Sequence, residues 1–301
     1  MPCCRFQSLV DALPNLVFEA DARGANVWAS AGWSRYSGLT PRQLAAQGWH
    51  PLLHPEDLAA AQAQWVQRIA EGVEFSSRRR IRRHDGQWRW HLVHVVPRHD
   101  AAGALVGWVG SATDVDEMVR AEQALAEQEQ HARFLLTMTE NLRDLAEPQD
   151  QMDAATAALG AHLGVAQVGY GEIDGAPPCI TVHRDWNDGR IPSVVGTWRL
   201  PDFGPAYLGD IEAGRTVAIR DVRLDARTSA AEVVAAYGGI HTRSILDVPL
   251  VKHGRLVALL FIHHPEPREW TASDVALAEQ VCERLWAAVE RARAERARDA
   301  S

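Results

Sequence analysis

Between Val115 and Leu145, Met118, Ala121, Leu125, Gln128, Ala132, Leu135, Thr139 and Leu142 follow one another at steps of three and four. Apart from Gln128 and Thr139 they are apolar, and that spacing predicts one long helix with a coiled-coil seam. The two polar residues lower the stability of such a seam while favouring one register. The heptad length and the central position favour a linker that pairs with a second copy over a helix packed on its own domain. A chain of 301 residues agrees with two domains, one on each side.

The composition supports two cores, with 47% hydrophobic and 23% charged residues. The net charge of -8, from 31 basic against 39 acidic residues, argues against a general nucleic-acid binder. Cys3, Cys4, Cys179 and Cys282 contain no C-x-x-C pair and read as reduced thiols. The strongest apolar run, Leu256 to Ile262, is far short of the ~20 residues that cross a bilayer. No basic-then-apolar leader opens the chain. A cytoplasmic protein is expected, with neither membrane nor nucleic acid as partner.

In the first part, Leu16–Asp21 and Asn26–Ser30 read as two strands around a glycine turn. Short helical pieces follow at Trp33–Gly38 and from Thr40, a plausible N-cap with Pro41 at the first helical position. A longer helix runs from His54-Pro55-Glu56-Asp57 to Gly72, with Leu58, Ala61, Trp65 and Ile69 on one face. Three strands close this part: 73–83, 87–98 and 104–113. Their turns, His84-Asp85-Gly86 and Asp100-Ala101-Ala102-Gly103, suit hairpins.

In the second part a helix is expected over Asp150–Leu163, then strands over 165–174 and 179–184. The stretch from Asp185 to Arg215 reads as loop-rich, followed by a strand at Thr216–Ile219 and a helix at Ala230–Tyr237. Ser244–Pro249 and a hairpin over Leu250–Ile262, turning at His253-Gly254, read as sheet. Thr271 with Asp274 predicts a capping box opening a last helix, which carries Val275, Ala278, Cys282, Leu285, Val289 and Ala292 on one face.

Three motifs fall in order in the first part: His54-Pro55-Glu56-Asp57, Asp85-Gly86-Gln87-Trp88-Arg89-Trp90, and Asp114-Val115-Asp116. Together they resemble a PAS domain of bacterial signalling proteins, although the last departs from the usual Asp-Ile-Thr triplet. "HTRSILDVPLVKHGRLVALLFIHH" and "REWTASDVALAEQVCERLWAAVERARAE" resemble a GAF domain, of the kind found beside PAS domains in histidine-kinase sensors. The resemblances imply an α+β fold of two domains, each an antiparallel sheet with flanking helices, joined by a long helix. The expected boundaries are 6–117 for the PAS domain, 118–145 for the helical linker and 146–297 for the GAF domain with its C-terminal helix.

Both resemblances imply ligand cavities. Candidate lining residues are Phe18, Trp28, Tyr36, Trp49 and Trp65 in the PAS part. In the GAF part they are Trp186, Trp198, Phe203, Tyr207, Arg243, Ser244 and Phe261. An apolar pocket with a few polar groups suits a small molecule, and the alternative is that these side chains simply fill the cores. Asp114, at a strand end beside the linker, is the candidate relay residue. No catalytic or metal-binding residue is singled out. His263 and His264, adjacent on a strand, face opposite ways and cannot share one ion from an unbroken strand. One core-facing and one exposed imidazole is the expectation. Arg78 to Arg83 reads as a solvated strand, with Arg78, Arg80 and Arg82 on one face.

No cofactor is required by the sequence. Cys3 and Cys4 precede the first strand, so they do not sit where flavin photoreceptors of the PAS class keep their reactive cysteine. The order of cysteine, PAS and GAF resembles phytochromes, but the Asp-Ile-Pro signature of their bilin domain is missing, and no haem ligand stands out. The function implied is a cytoplasmic signal-sensing and relay module of a two-component-type pathway. It is expected to dimerise, to bind an unknown small ligand and to act on a histidine kinase or response regulator. Three alternatives stay open: a histidine-kinase family protein, a chromophore-binding photoreceptor, and a dimerisation adaptor. No acceptor motif surrounds His131, and no ATP-binding domain is expected within these residues. A sensor half, truncated from a kinase or acting on one in trans, is the expected form.

Overall fold

The computed structural model describes residues 9–12 and 14–299. Cys3 and Cys4 lie outside the described residues. The chain forms two compact units, divided between Glu127 and Gln128.

The first unit is built on a five-stranded antiparallel sheet in the order β2-β1-β5-β4-β3. The strands are β1 (Leu16–Asp21), β2 (Asn26–Ala29), β3 (Phe75–Arg82), β4 (Trp88–His99) and β5 (Leu105–Asp114). Between β2 and β3 run α1 (Ala31–Ser37), α2 (Pro41–Gln47), a 3-10 turn (His50–Leu52) and α3 (Pro55–Glu71).

Short-range chemistry sets these bounds. Asp21 Oδ1 accepts from the Arg23 and Ala25 amides, both at 2.9 Å, and Gly24 takes φ +85 to complete the turn. Thr40 and Gln43 form the capping box at the start of α2. His54 Nδ1 accepts from the Glu56 amide at 3.3 Å and caps α3. Asp57, one turn in, accepts from the Arg80 backbone at 3.0 Å and ties the helix start to β3. Leu16, Trp33, Leu44, Leu52, Ile81 and Ala112 are buried together between the helices and the sheet.

Helix α4 (Asp116–Arg143) starts in the first unit and ends in the second. The second unit continues with α5 (Pro148–Leu163), β6 (Gln167–Asp174), β7 (Cys179–Asn187), β8 (Gly196–Arg199), a 3-10 turn (Leu200–Phe203), α6 (Pro205–Glu212), β9 (Val217–Ile219), α7 (Ala231–Gly239), β10 (Ser244–Lys252), β11 (Arg255–His264) and α8 (Ala272–Asp299). Its six strands form an antiparallel sheet in the order β8-β7-β6-β11-β10-β9.

This sheet has an apolar core on each face, because β-strand side chains alternate. Leu246, Val248, Leu260 and Ile262 face α5, α8 and the end of α4, where Leu135, Met138, Leu142, Leu159, Val281 and Leu285 meet them. Ile245, Leu259 and Phe261 face the other way, toward α6, α7 and the 3-10 turn. Thr271 and Asp274 form the expected capping box of α8, each amide donating to the other's side chain at 3.0 Å.

Two expectations change. The stretch read as loop contains β8 and α6, which are four and eight residues long, too short to show a period. The strand read as ending at Pro249 runs on to Lys252, and the turn is formed by His253 and Gly254 at φ 51 and 73. Pro249 is tolerated because β9 pairs only with Ile245, Leu246 and Asp247, so no neighbour needs its missing N–H.

Candidate ligand cavities and the relay junction

A cavity of about 80 Å³ lies between the sheet and helices of the first unit. Phe18, Trp49 and Trp65 line it, as expected from the sequence. Phe18 and Trp49 each lie 6.2 Å from Trp65, centroid to centroid. Trp33, Leu44, Ile81 and Ala112 complete the apolar wall. Its polar points include Ser77, Asn26, whose Oδ1 is buried without a partner, and Arg79, which donates to Gln64 Oε1 at 2.5 Å. Among the described residues Arg79 makes no ion pair, and burial pushes its pKa down.

Trp28 and Tyr36 do not line this cavity. Phe18 pairs with Ala29 and Glu19 with Trp28, so a cavity-facing Phe18 puts Trp28 on the opposite face of the sheet. Tyr36 packs edge-on against His91 at 4.9 Å, one turn beyond the cavity-lining Trp33.

The second unit holds a cavity of about 50 Å³ lined by Trp198, Phe203, Tyr207 and Phe261, four of its seven candidates. Trp186, Arg243 and Ser244 are not on its wall. In the β6–β7 ladder Gly169 pairs with Asp185 and Gly171 with Val182, so β7 carries one extra residue. The bulge reverses the alternation after Val182. Asp185 then faces the cavity side, while Trp186 packs on the helical core. There Gly160 of α5 makes room, since a Cβ at that position would come within 2.1 Å of the indole ring. Arg243 is held by an ion pair with Asp221. Ser244 donates to the Ile219 carbonyl at 3.0 Å, on the face opposite Ile245.

Four polar residues that the sequence reading did not assign to a pocket belong to this cavity or support it. Asp247, 2% exposed, reaches it from the apolar run of β10. Its Oδ2 accepts from the Tyr207 hydroxyl at 2.7 Å, and its Oδ1 has no partner among the described residues. Burial raises its pKa from 3.8 to about 7, against the pull of the Tyr207 hydroxyl and of the nearby Ile262 amide. The Tyr237 hydroxyl is also buried and unpartnered. His263 lies on the same wall, and burial lowers its pKa to about 3. Gln167 stands behind it, with its Oε1 3.1 Å from His263 Nδ1. A carboxylate inside "SILDVPL" was the one visible sign of this cluster. His264 is also buried rather than exposed, on the other face of β11.

At the end of β5, Arg89 Nε donates to Asp114 Oδ2 at 2.6 Å. Asp114 Oδ1 accepts from the Asp116 amide at 3.0 Å. Asp116 in turn accepts from the Trp90 amide at 3.1 Å and pairs with Arg120 at 2.8 Å. Two separated sequence motifs thus meet where α4 leaves the sheet. The hydrogen bond from Arg89 holds the Asp114 carboxyl below its ordinary value even though burial opposes this.

Residues 26–112 match the family described as PAS fold, and residues 147–289 match the GAF domain. The chain carries a PAS domain followed by a GAF domain. Among similar curated proteins, the peroxide stress-activated histidine kinase mak1 of Schizosaccharomyces pombe is 30% identical over 147 residues, 48% of this chain and 8% of the kinase. The two-component sensor PprA of Pseudomonas aeruginosa is 30% identical over 135 residues, 44% of this chain and 14% of the sensor. The matched segments are therefore a small part of these relatives' own length. Among solved structures, the phycocyanobilin-bound GAF domain of a cyanobacterial phytochrome is 20% identical, with a TM-score of 0.48. That match covers 55% of this chain and 96% of the phytochrome chain.

The arginine run of the PAS domain is largely matched by carboxylates: Arg80 pairs with Glu56 and Asp57, Arg78 with Glu122, and Arg83 with Asp85. Neither described cysteine lines either of these two cavities. Cys179 is half-buried at the start of β7, and Cys282 is buried in the helical core of the GAF domain, where burial pushes its thiol up to about 12. Among the described residues, no helix is long and apolar enough to cross a membrane.

Proposed function

We propose that this PAS–GAF chain is a cytoplasmic signal-sensing and relay module of a two-component-type pathway, in which small molecules enter the two cavities. The observation that carries the reading is the junction at Asp114. The sheet that walls the PAS cavity is tied to the first turn of α4 through Arg89, Asp114 and Asp116. A ligand that favours one arrangement of the cavity biases the helix by its differential affinity for the two arrangements, and by no more than that. Cavities of this size accept a few waters or a small ligand, a water needing about 10–15 Å³. A bilin, flavin or haem requires a far larger space, and neither cavity wall offers a described cysteine.

The output partner in this reading is a histidine kinase or response regulator, in keeping with the relatives named above. Dimerisation through α4 belongs to the same reading. Met118 and Leu125 of the seam are 47% and 58% exposed, and Ala121 between them is exposed too. Free thiols at Cys179 and Cys282 suit a reducing compartment. The test is hydrogen exchange of the full chain with and without Ala112→Leu, which fills the PAS cavity. The reading requires altered protection at residues 116–127. Unchanged protection there, with altered protection in β5, would remove the relay.

A further inference from the structure

The polar cluster of the GAF cavity identifies what the cavity takes, provided that it is a ligand site as read above. We propose that it binds a small organic ammonium ion whose nitrogen keeps at least two hydrogens, seated between Asp247 and His263 within a wall of aromatic rings.

Two acceptors meet at the cavity wall, one on Asp247 and one on His263. Asp247 Oδ1 is buried and unpartnered. Gln167 donates its Nε2 to Asp185 at 2.5 Å and to the Pro192 carbonyl at 3.0 Å, which fixes its Oε1 as the atom facing His263. His263 Nδ1 must then be the donor in that 3.1 Å contact, leaving Nε2 with a lone pair. His263 Nε2 and Asp247 Oδ1 are 4.0 Å apart, too far for a direct hydrogen bond. Burial keeps the imidazole neutral, so the two do not form an ion pair. A single nitrogen carrying two N–H groups fits between them. The Tyr237 hydroxyl, also buried and unpartnered, is available to a third.

Charge and shape select the ammonium ion. Trp198, Phe203, Tyr207, Tyr237 and Phe261 line the same cavity as the carboxyl, and aromatic faces attract cations, most strongly when desolvated. Phe203 and Tyr237 stand 5.1 Å apart, and Phe261 and His263 4.9 Å. A quaternary ammonium has no N–H and leaves both acceptors empty. A neutral alcohol meets one acceptor and gains little from the rings.

The groups facing Asp247 are Tyr207 of α6, Tyr237 of α7 and His263 of β11. Burial raises both tyrosines well above 10 and lowers His263 to about 3, so Asp247 is the member of the cluster that titrates near 7. The empty site therefore carries a proton on Asp247 below pH 7, and an ammonium ion displaces it.

The experiment is ligand-observed saturation-transfer NMR of the full chain with propylammonium, propanol and tetramethylammonium at pH 6 and pH 8. Saturable propylammonium binding is expected, about tenfold tighter at pH 8 than at pH 6 because the carboxylate fraction rises by that factor. Propanol and tetramethylammonium should bind at least tenfold more weakly. Asp247→Asn should abolish the preference for the amine. Tyr207→Phe, which keeps the carboxyl but removes its hydroxyl donor, should move the pH midpoint upward. Propanol binding as well as the amine, or an unshifted midpoint in Tyr207→Phe, would overturn the assignment. Binding of neutral molecules alone would reject the ammonium class and leave the cavity reading intact. Exclusion of all three probes, with Phe203→Ala admitting none either, would reject both.

Discussion

Replacing Gly160 by alanine sets two effects of opposite sign against each other. In a helix interior, alanine is favoured over glycine by about 0.8–1.0 kcal/mol, so propensity alone predicts a more stable protein. In the fold, the new methyl would lie 2.1 Å from both Cε3 and Cζ3 of Trp186, and 2.9 Å from Cη2. Carbon atoms rest at about 3.5–4.0 Å, so the indole must retreat by about 1.5 Å. Trp186 is only half-buried and has some freedom to move, but its ring packs on the core formed with α5 and α8. Overpacking of this kind costs about 1–3 kcal/mol. The net expectation is a loss of about 1 kcal/mol, or about 2–4 °C in Tm for a unit of this size. Urea unfolding followed by circular dichroism measures the sign. In a Trp186→Leu background the obstruction is reduced, and the same substitution should become neutral or stabilising. A Gly160→Ala protein stabilised by the full propensity difference in the wild-type background would refute the packing of Trp186 on α5.

Other outcomes follow from the cavities, the junction and the seam. Asp247 binds its proton more tightly folded than unfolded, so the stability of wild type relative to Asp247→Asn should fall as pH rises from about 4 to about 7. It should then level off, for a total change on the order of 4 kcal/mol; a flat difference across that range in denaturant midpoints would contradict the buried carboxyl. Asp116→Ala frees the Trp90 amide and removes the partner of Arg120, at a cost of about 1–3 kcal/mol. Hydrogen exchange should show faster exchange at 116–127 and no change in the GAF sheet, and undiminished protection of α4 would show that Asp116 does not anchor it. Leu125→Glu should convert a dimer to a monomer in size-exclusion chromatography with light scattering. An unchanged mass would place the interface elsewhere or show that there is none.

Much of the fold was legible because its signals are local. The N-cap at Thr40, the capping box at Thr271, the glycine turn after Asp21, the aspartate turns at Asp85 and Asp100, and the start of α3 at His54-Pro55 depend on atoms within a few residues of one another. The seam from Met118 to Leu142 was read as one surface, yet its two ends differ. Leu135, Met138 and Leu142 are buried in the helical core of the GAF domain, and Thr139 turns its hydroxyl to the Leu135 carbonyl of its own helix. Periodicity reports that a face is apolar, and it cannot say which surface covers it.

The cavities show the same division. Aromatic composition pointed to Trp49, Trp65, Trp198, Phe203 and Tyr207, since large rings near a sheet face have few other places to go. Trp186 and Trp28 have the same chemistry and lie elsewhere. One is displaced by a single extra residue in β7, and the other by its pairing with Glu19. Strand parity depends on a partner strand that is distant in sequence, so neither position was readable in advance. Asp247 is the sharpest case. In sequence it is one acidic residue among 39 Asp and Glu. Burial from both sides of the strand, Tyr207 arriving from forty residues away and Gln167 locking His263 opposite it make it a candidate binding group. The sequence determined local backbone geometry and the supply of apolar faces, because those follow from neighbours along the chain. Tertiary structure alone decided which polar atoms lost their water and gained no partner, because desolvation belongs to the assembled fold.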